Sequence, residues 1–269
     1  MTFHLRETII RRAPLAVRCI DVVRDQPVSN DLHLEVYLRD HLTQPTVARP
    51  SPVSGFFGVR TLPELRDYVT NAKDASAYCS PNLSPEDEHQ EANFVLLIQD
   101  KQQRFLPATL VLCLPKTHVV PVDLHSSPAR SPIAGMASIY GEIWDASADA
   151  PAAWSVVRVT PPSNNPVRAI ADARGMFQMM LPHPGPKKSG VLHEMKWVIT
   201  CEVLYKLDDQ LDVSPRMPPD MRSILNQGTA NIHDVPDGDG KTSIERSLLY
   251  QTPLVLRTEN ENRLMIEPQ

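Results

Sequence analysis

The sequence predicts a mainly β protein, with two tandem antiparallel β-sandwich-like domains and long Pro-rich loops. Three observations carry this. Apolar residues recur at every second position in short runs rich in β-branched and aromatic side chains, the period of a half-buried strand. No amphipathic pattern extends beyond about three helical turns. Finally, Pro 26 against Gly 10 is about twice average proline usage, so proline punctuates strands and stiffens connections throughout.

A chain of 269 residues holds two domains of ordinary size, each able to bury a core. They are expected at 1–118, with a loop insert at 71–93, and at 137–269, with a linker at 119–136. The chain opens on a strand-turn-strand pattern: residues 16–23 (AVRCIDVV) alternate, 24–27 turn, and 32–38 (LHLEVYL) alternate again with Leu32, Leu34, Val36 and Leu38 on one face. Residues 39–52 are polar and Pro-rich, and SGFFGVRTLPELRDYV adds a short strand and a possible helical turn. The insert 71–93 holds two Ser-Pro pairs and the acids 86–88, which mark an exposed loop.

Two strands, 94–98 (FVLLI) and 108–114 (ATLVLCL), bracket the turn that begins at Asp100. The segment KTHVVPVDLHSSPARSP, 116–132, is extended and bears Pro and Ser, which suits a linker on the surface. Two hairpins are then expected. Residues 139–144 pair with 153–159 across a polar turn at 145–151, and 167–171 pair with 176–181 across Asp172-Ala173-Arg174-Gly175, where Gly175 takes φ > 0 freely. Asp100 precedes Phe105 by the interval at which Asp172 precedes Phe177, and each stretch runs out into Leu-Pro, a weak internal repeat of one β module. Farther on, 196–205 (KWVITCEVLY) places Trp197, Ile199, Cys201 and Val203 on one face. A short helix is expected at 220–225, and a last hairpin at 253–257 and 263–266.

The formal net charge of −5 argues against a general nucleic-acid surface, which needs a basic excess. The first residues carry charges throughout, without the apolar run of a signal peptide, and no stretch approaches the ~18 apolar residues of a membrane span. Synthesis in the cytoplasm without membrane insertion is the expectation. Cysteines 19, 79, 113 and 201 show no C-x-x-C spacing, so they are expected as free buried thiols in a reducing compartment.

The signatures of a hydrolase elbow, a P-loop, a dinucleotide fingerprint and a zinc helix are all missing. The expectation is no enzyme, no cofactor and no metal. The histidines are dispersed, with His118 and His125 in the linker and His183 and His193 beside a loop; a metal site there is weighed against solvent-facing or capping roles. Asp234, Asp237 and Asp239 resemble part of a calcium loop, but their spacing misses the EF-hand pattern, and a polar turn is the simpler reading. Trp144, Trp154 and Trp197 could form a sugar platform, although burial in strands is the simpler use. Arg104 and Arg174 each sit in an Asp-initiated turn, open either to a contact with that Asp or to an interface role.

The 145–153 turn followed by IADARGMFQMMLPHP resembles the carboxypeptidase-regulatory-like, transthyretin-like β-sandwich modules, in which a D-x-x-G-x-[FY] turn connects two sandwich strands. Asp172, Gly175 and Phe177 match that turn; at Asp100 and Phe105 the match is incomplete, because Gln103 replaces glycine. The order RFLPATLVLCLP, SPIAGMASIYGEIWD, PAAW, ADARGMF and LPHP, then a Trp-bearing strand and PLVLRTENENRLMIEP, resembles proteins encoded in gene clusters of contractile phage-tail-like injection systems. The similarity covers most of residues 14–268.

That resemblance implies a transthyretin-like sandwich at 137–269 and a non-enzymatic assembly component at the cap or baseplate end of the particle. Its implied partners are sheath, tube, terminator or baseplate proteins and copies of itself. Exposed backbone and proline make 71–93 and 116–132 the expected intersubunit contacts. The alternative is a carbohydrate- or peptide-binding β-sandwich module.

Overall fold

The computed structural model describes residues 13–39, 41–62, 94–116, 118–162, 165–183, 196–206, 217–235 and 238–269. The insert 71–93 therefore lies outside the described residues, as do His193, Asp237 and the possible helical turn after residue 62. The protein is mainly β, with eighteen strands and one short helix among the described residues. Among the described residues, no helix is long and apolar enough to cross a membrane.

Two compact units divide the chain: Met1–Ile20, Pro27–Leu97 and Val111–Val122 in one, and Asp21–Gln26, Ile98–Leu110 and Asp123–Gln269 in the other. An eight-stranded sheet holds β1 (Leu15–Asp21), β2 (Gln26–Pro27), β3 (Leu32–Leu38), β4 (His41–Pro50), β5 (Phe57–Val59), β6 (Phe94–Asp100), β7 (Ala108–Leu112) and β8 (Val120–Leu124). Its order is β2-β1-β5-β4-β3-β6-β7, with β8 also on β1. β3 buries Leu32, Leu34 and Val36, as its alternation requires. However, β1 and β3 are not neighbours, since β5 and β4 stand between them.

Residues 39–52, polar and Pro-rich, are not a plain connection. Most of them form β4, whose register against β3 moves from Val36↔Thr46 to Leu38↔His41, so 42–45 bulge from the ladder. Pro45 has no N–H for the ladder, which fits a bulge there. The segment 119–136, expected as a linker, contains β8 with Val120, Val122 and Leu124 buried.

In the second unit two sheets meet face to face. One is built on β9 (Met136–Asp145) with β10 (Ala150–Pro151), β13 (Met176–Pro182), β15 (Ala230–Ile232), β17 (Leu254–Leu256) and β18 (Leu264–Pro268). The other runs β12 (Val167–Ile170), β11 (Val156–Thr160), β14 (Lys196–Leu204) and β16 (Ile244–Leu249). Ile139, Phe177 and Leu264 of the first sheet share one core with Val157, Ile199 and Leu248 of the second. β14 buries Trp197, Ile199, Cys201 and Val203, the face expected from its alternation. The helix α1 (Met221–Leu225) follows Pro218-Pro219 and buries Met221 and Ile224.

None of the three hairpins expected in this unit is a paired hairpin. Residues 145–149 turn β9 back only onto the short β10, at Asp145↔Ala150 and Trp144↔Pro151; β11 lies in the other sheet against β12, and the turn at Asp172 carries the chain from that sheet to β13, which pairs with β9. Both partners are apolar strands of similar length, and period-2 patterning fixes which face is buried but not which strand lies alongside. β17 and β18 do not pair with each other either. Both run parallel to β9, at Leu254↔Ile139 and Leu264↔Ile143, as two pieces of one edge interrupted by a closed loop. The close approach of β17 depends on Gly141, where a Cβ would come within 2.6 Å of the Leu256 carbonyl oxygen.

Candidate functional site

The most elaborated polar structure of the second unit is built where β12 and β13 turn away into different sheets. Its first component is the turn after β6. The Asp100 carboxylate accepts the backbone N–H of Arg104 at 2.7 Å and that of Gln102 at 3.3 Å, and receives the Arg104 guanidinium at 2.9 Å. Burial alone would raise the Asp100 pKa, but the Arg104 and backbone hydrogen bonds outweigh it and hold the carboxyl below its ordinary value. Arg174 makes the same kind of contact with Asp172, at 2.9 Å. Both arginines thus serve their own turns.

The chain of residues 125–130, HSSPAR, closes over this turn. The N–H of Leu106 donates to the His125 carbonyl at 2.9 Å and that of Ser127 to the Arg104 carbonyl at 3.0 Å, while the Ser127 hydroxyl donates to the Gln103 carbonyl. Arg130 is thereby carried into the interior, only 7% exposed. There it donates to Asp21 Oδ1 at 3.0 Å and to Ser126 Oγ at 2.9 Å, and lies over the Phe105 ring at 4.8 Å. A buried ion pair of this kind fixes position more than it adds net stability, because desolvation offsets most of the attraction.

Beside it is a pocket of about 90 Å³, bordered by residues 22–23, 125–126, β12 and β13. His125 and Gln178 line it, 6% and 8% exposed, and His125 Nε2 and Gln178 Oε1 have no hydrogen-bond partner. Burial, with a smaller push from the Arg168 charge, lowers the His125 pKa to about 4, so the ring is neutral at pH 7. An uncharged imidazole, a carboxamide and a guanidinium can hold and orient a polar ligand. They do not form a nucleophile with its base.

Other residues weighed from the sequence are placed differently. His118 is exposed, and His183 lies against Trp197 and Tyr250 with centroids at 5.9 and 4.8 Å. Asp234 is engaged by Arg246 at 2.6 Å and Lys241 at 3.7 Å. Among the described residues, no three His, Cys, Asp or Glu side chains gather as a metal site. Trp197 is core, and the Trp144 ring is covered by the Arg263 guanidinium at 3.7 Å, so three open indoles are not available as a platform. Trp154 is half-buried with φ 60°, and its carbonyl accepts from Gln227 at 2.8 Å.

The cysteines depart from expectation in one respect. Cys19 and Cys201 are free and buried, with burial pushing each thiol up to about 12, but Cys113 is disulfide-bonded. Sequence spacing gave no sign of the bond, because a disulfide depends on which strands and loops the fold brings together. The Arg130–Asp21 pair was equally hidden, its members standing 109 positions apart.

No model of a known protein family matches the chain, and no curated protein matches it. Among solved structures it is similar to the Bacillus anthracis TIE protein, at 7% identity over 95% of this chain and 34% of that one, with a TM-score of 0.25. The shaft pilin SpaA from Lactobacillus rhamnosus GG gives 9% identity over 96% of this chain and 98% of that one, TM-score 0.24. A streptococcal ancillary pilin gives 8% identity over 96% and 63%, TM-score 0.22. The chain thus spans about a third of the TIE protein. Likeness this low carries no inference about function.

Proposed function

We propose that this chain is a non-enzymatic assembly component of a contractile phage-tail-like injection particle, seated at its cap or baseplate end. Sheath, tube, terminator or baseplate proteins and further copies of the chain hold it there. The resemblance carried by residues 14–268 names the particle, and one observation on the fold supports an assembly role. β4 is ten residues long, yet only Ala48 along it is buried. A strand that hides neither face gains little from the hydrophobic effect within its own chain. Its Pro45 bulge and 47% exposed Val47 suit a surface covered by a neighbour in a ring.

The indole positions do not favour the carbohydrate-binding alternative, since Trp197 is interior and Trp144 is capped. Imaging particles from a strain lacking the gene tests the proposal. Particles with missing or malformed ends are expected, restored by the wild-type gene but not by a copy carrying Val47→Asp and Thr46→Asp. Normal particles that never contained the protein would overturn it.

A further inference from the structure

We propose that the pocket between β12 and β13 is a binding site for a carboxylate on a short apolar stem. A row of charges crosses the sheet beside it. Arg168 on β12 stands directly opposite Arg158 on β11, and Arg158 is bonded to Glu202 on β14. Like charges directly opposite on a sheet are destabilising. Two guanidinium groups share one carboxylate in this row, and the unmatched one is Arg168, which has no carboxylate partner among the described residues.

Arg168 lines the pocket, and no Asp or Glu does. The second polar wall is Gln178, whose side chain makes no hydrogen bond among the described residues. The two ends of a carboxamide are told apart by their hydrogen-bond partners, and with none here either the oxygen or the N–H₂ can take the place facing an anion. His125 Nε2 is also without a partner and donates in the Nε2–H tautomer. Arg168 carries the charge that makes an Arg–carboxylate contact strong, and the Gln178 carboxamide and His125 imidazole flank it as uncommitted polar groups of the lining. The neutrality of His125 fits the same field, since a positive neighbour disfavours a second cation.

Size and lining set the rest of the ligand. Val22, Val167, Met180 and Pro182 make the remaining wall apolar. One water needs about 10–15 Å³ on the measure that gives this pocket about 90 Å³, so a group of roughly half a dozen heavy atoms fits. A four-carbon acid such as butyrate has that size. The same chemistry is offered by the free C-terminus of a partner polypeptide ending in an apolar residue.

The test is titration of the full chain, followed by the backbone amide resonances of Val22, Val23, Arg168 and Gln178. Butyrate should produce saturable shifts at these positions, and butyramide, its neutral counterpart, should not. Arg168→Gln, a change at an exposed residue, should weaken butyrate about tenfold or more, the loss expected for a charge-assisted hydrogen bond. A short peptide ending in leucine with a free carboxylate, compared with the same peptide amidated, separates the two sources: tighter binding of the acid peptide than of butyrate assigns the site to a polypeptide terminus, and the reverse assigns it to a free acid. The proposal is overturned if neither butyrate nor the acid peptide gives saturable shifts, if butyramide binds as well, or if Arg168→Gln binds unchanged. None of these outcomes depends on whether the chain belongs to a particle.

Discussion

Gln103 takes a left-handed backbone conformation, φ 55°, at the place in its turn that Gly175 fills, φ 74°, in the other. Each stands three residues after an aspartate and two before a phenylalanine. Each donates its N–H to the carbonyl of that aspartate at 3.0 Å, and the carboxylates of Asp100 and Asp172 accept further N–H groups from within their turns. The two turns share a geometry, although only one uses the residue that adopts it without strain.

Substitution should therefore separate them. At Gly175 a Cβ would lie 2.4 Å from the Ile143 carbonyl oxygen, so Gly175→Ala combines an unfavourable φ with a backbone clash and should cost about 2 kcal/mol or more. Gln103→Gly removes the strain at its own site and should change stability by less than about 1 kcal/mol, in the stabilising direction. Urea denaturation of both variants is the check. Equal losses would show that the turns are not equivalent in this way.

Arg130 gives a sharper contrast between one partner and two. Arg130→Met leaves Asp21 buried and uncompensated and should cost about 3–5 kcal/mol. Adding Asp21→Leu to it should recover part of that loss, since an apolar pair avoids the desolvation penalty. A double variant as unstable as the sum of the two singles would mean that the pair is not coupled.

Stability should also respond to pH through His125. Its folded pKa, about 4, lies below its ordinary 6.5, so the unfolded chain binds this proton more tightly. The contribution is complete above pH 6.5 and is lost as pH falls toward 4, at about 1.4 kcal/mol per unit. His125→Asn should flatten the stability profile across that window. An unchanged slope in denaturation series between pH 4 and 6.5 would show that His125 is not held neutral.

The thiols make opposite predictions at different positions. In the folded protein Cys19 and Cys201 should resist a thiol reagent, since both are buried and their thiolates disfavoured. Reductant should lower the melting temperature, and Cys113→Ala should reproduce the loss, about 2–4 kcal/mol for a disulfide of ordinary strength. Melting that ignores reductant would contradict the bond at Cys113.

These tests also mark what the sequence made legible. Strand periodicity placed the buried face of β14 and that of β3 as far as Val36 correctly, because the alternation of side chains belongs to a single strand; at the register shift after Val36, Tyr37 is buried and Leu38 only half-buried. Pairing belongs to two strands, and Val167 to Ile170 could satisfy β11 or β13 equally well from the pattern alone. The turn at Asp172 was found because Asp and Gly at fixed spacing have local reasons to be there. His125, Arg130 and Gln178 carry no such local reason; they matter only because the fold brings residues 22–23, 125–126, β12 and β13 around one pocket. Proline led the other way at β4, where Pro45 marks a bulge within a strand and not the end of one.

Whether this chain occupies a fixed place in a contractile particle is decided by cryo-electron microscopy of particles purified from the native strain, with mass spectrometry of the same preparation. The chain should be present at a defined copy number and give ordered density at one end of the particle, with β4 against a neighbouring subunit. Intact particles that lack the chain and show no unassigned density at either end would contradict it.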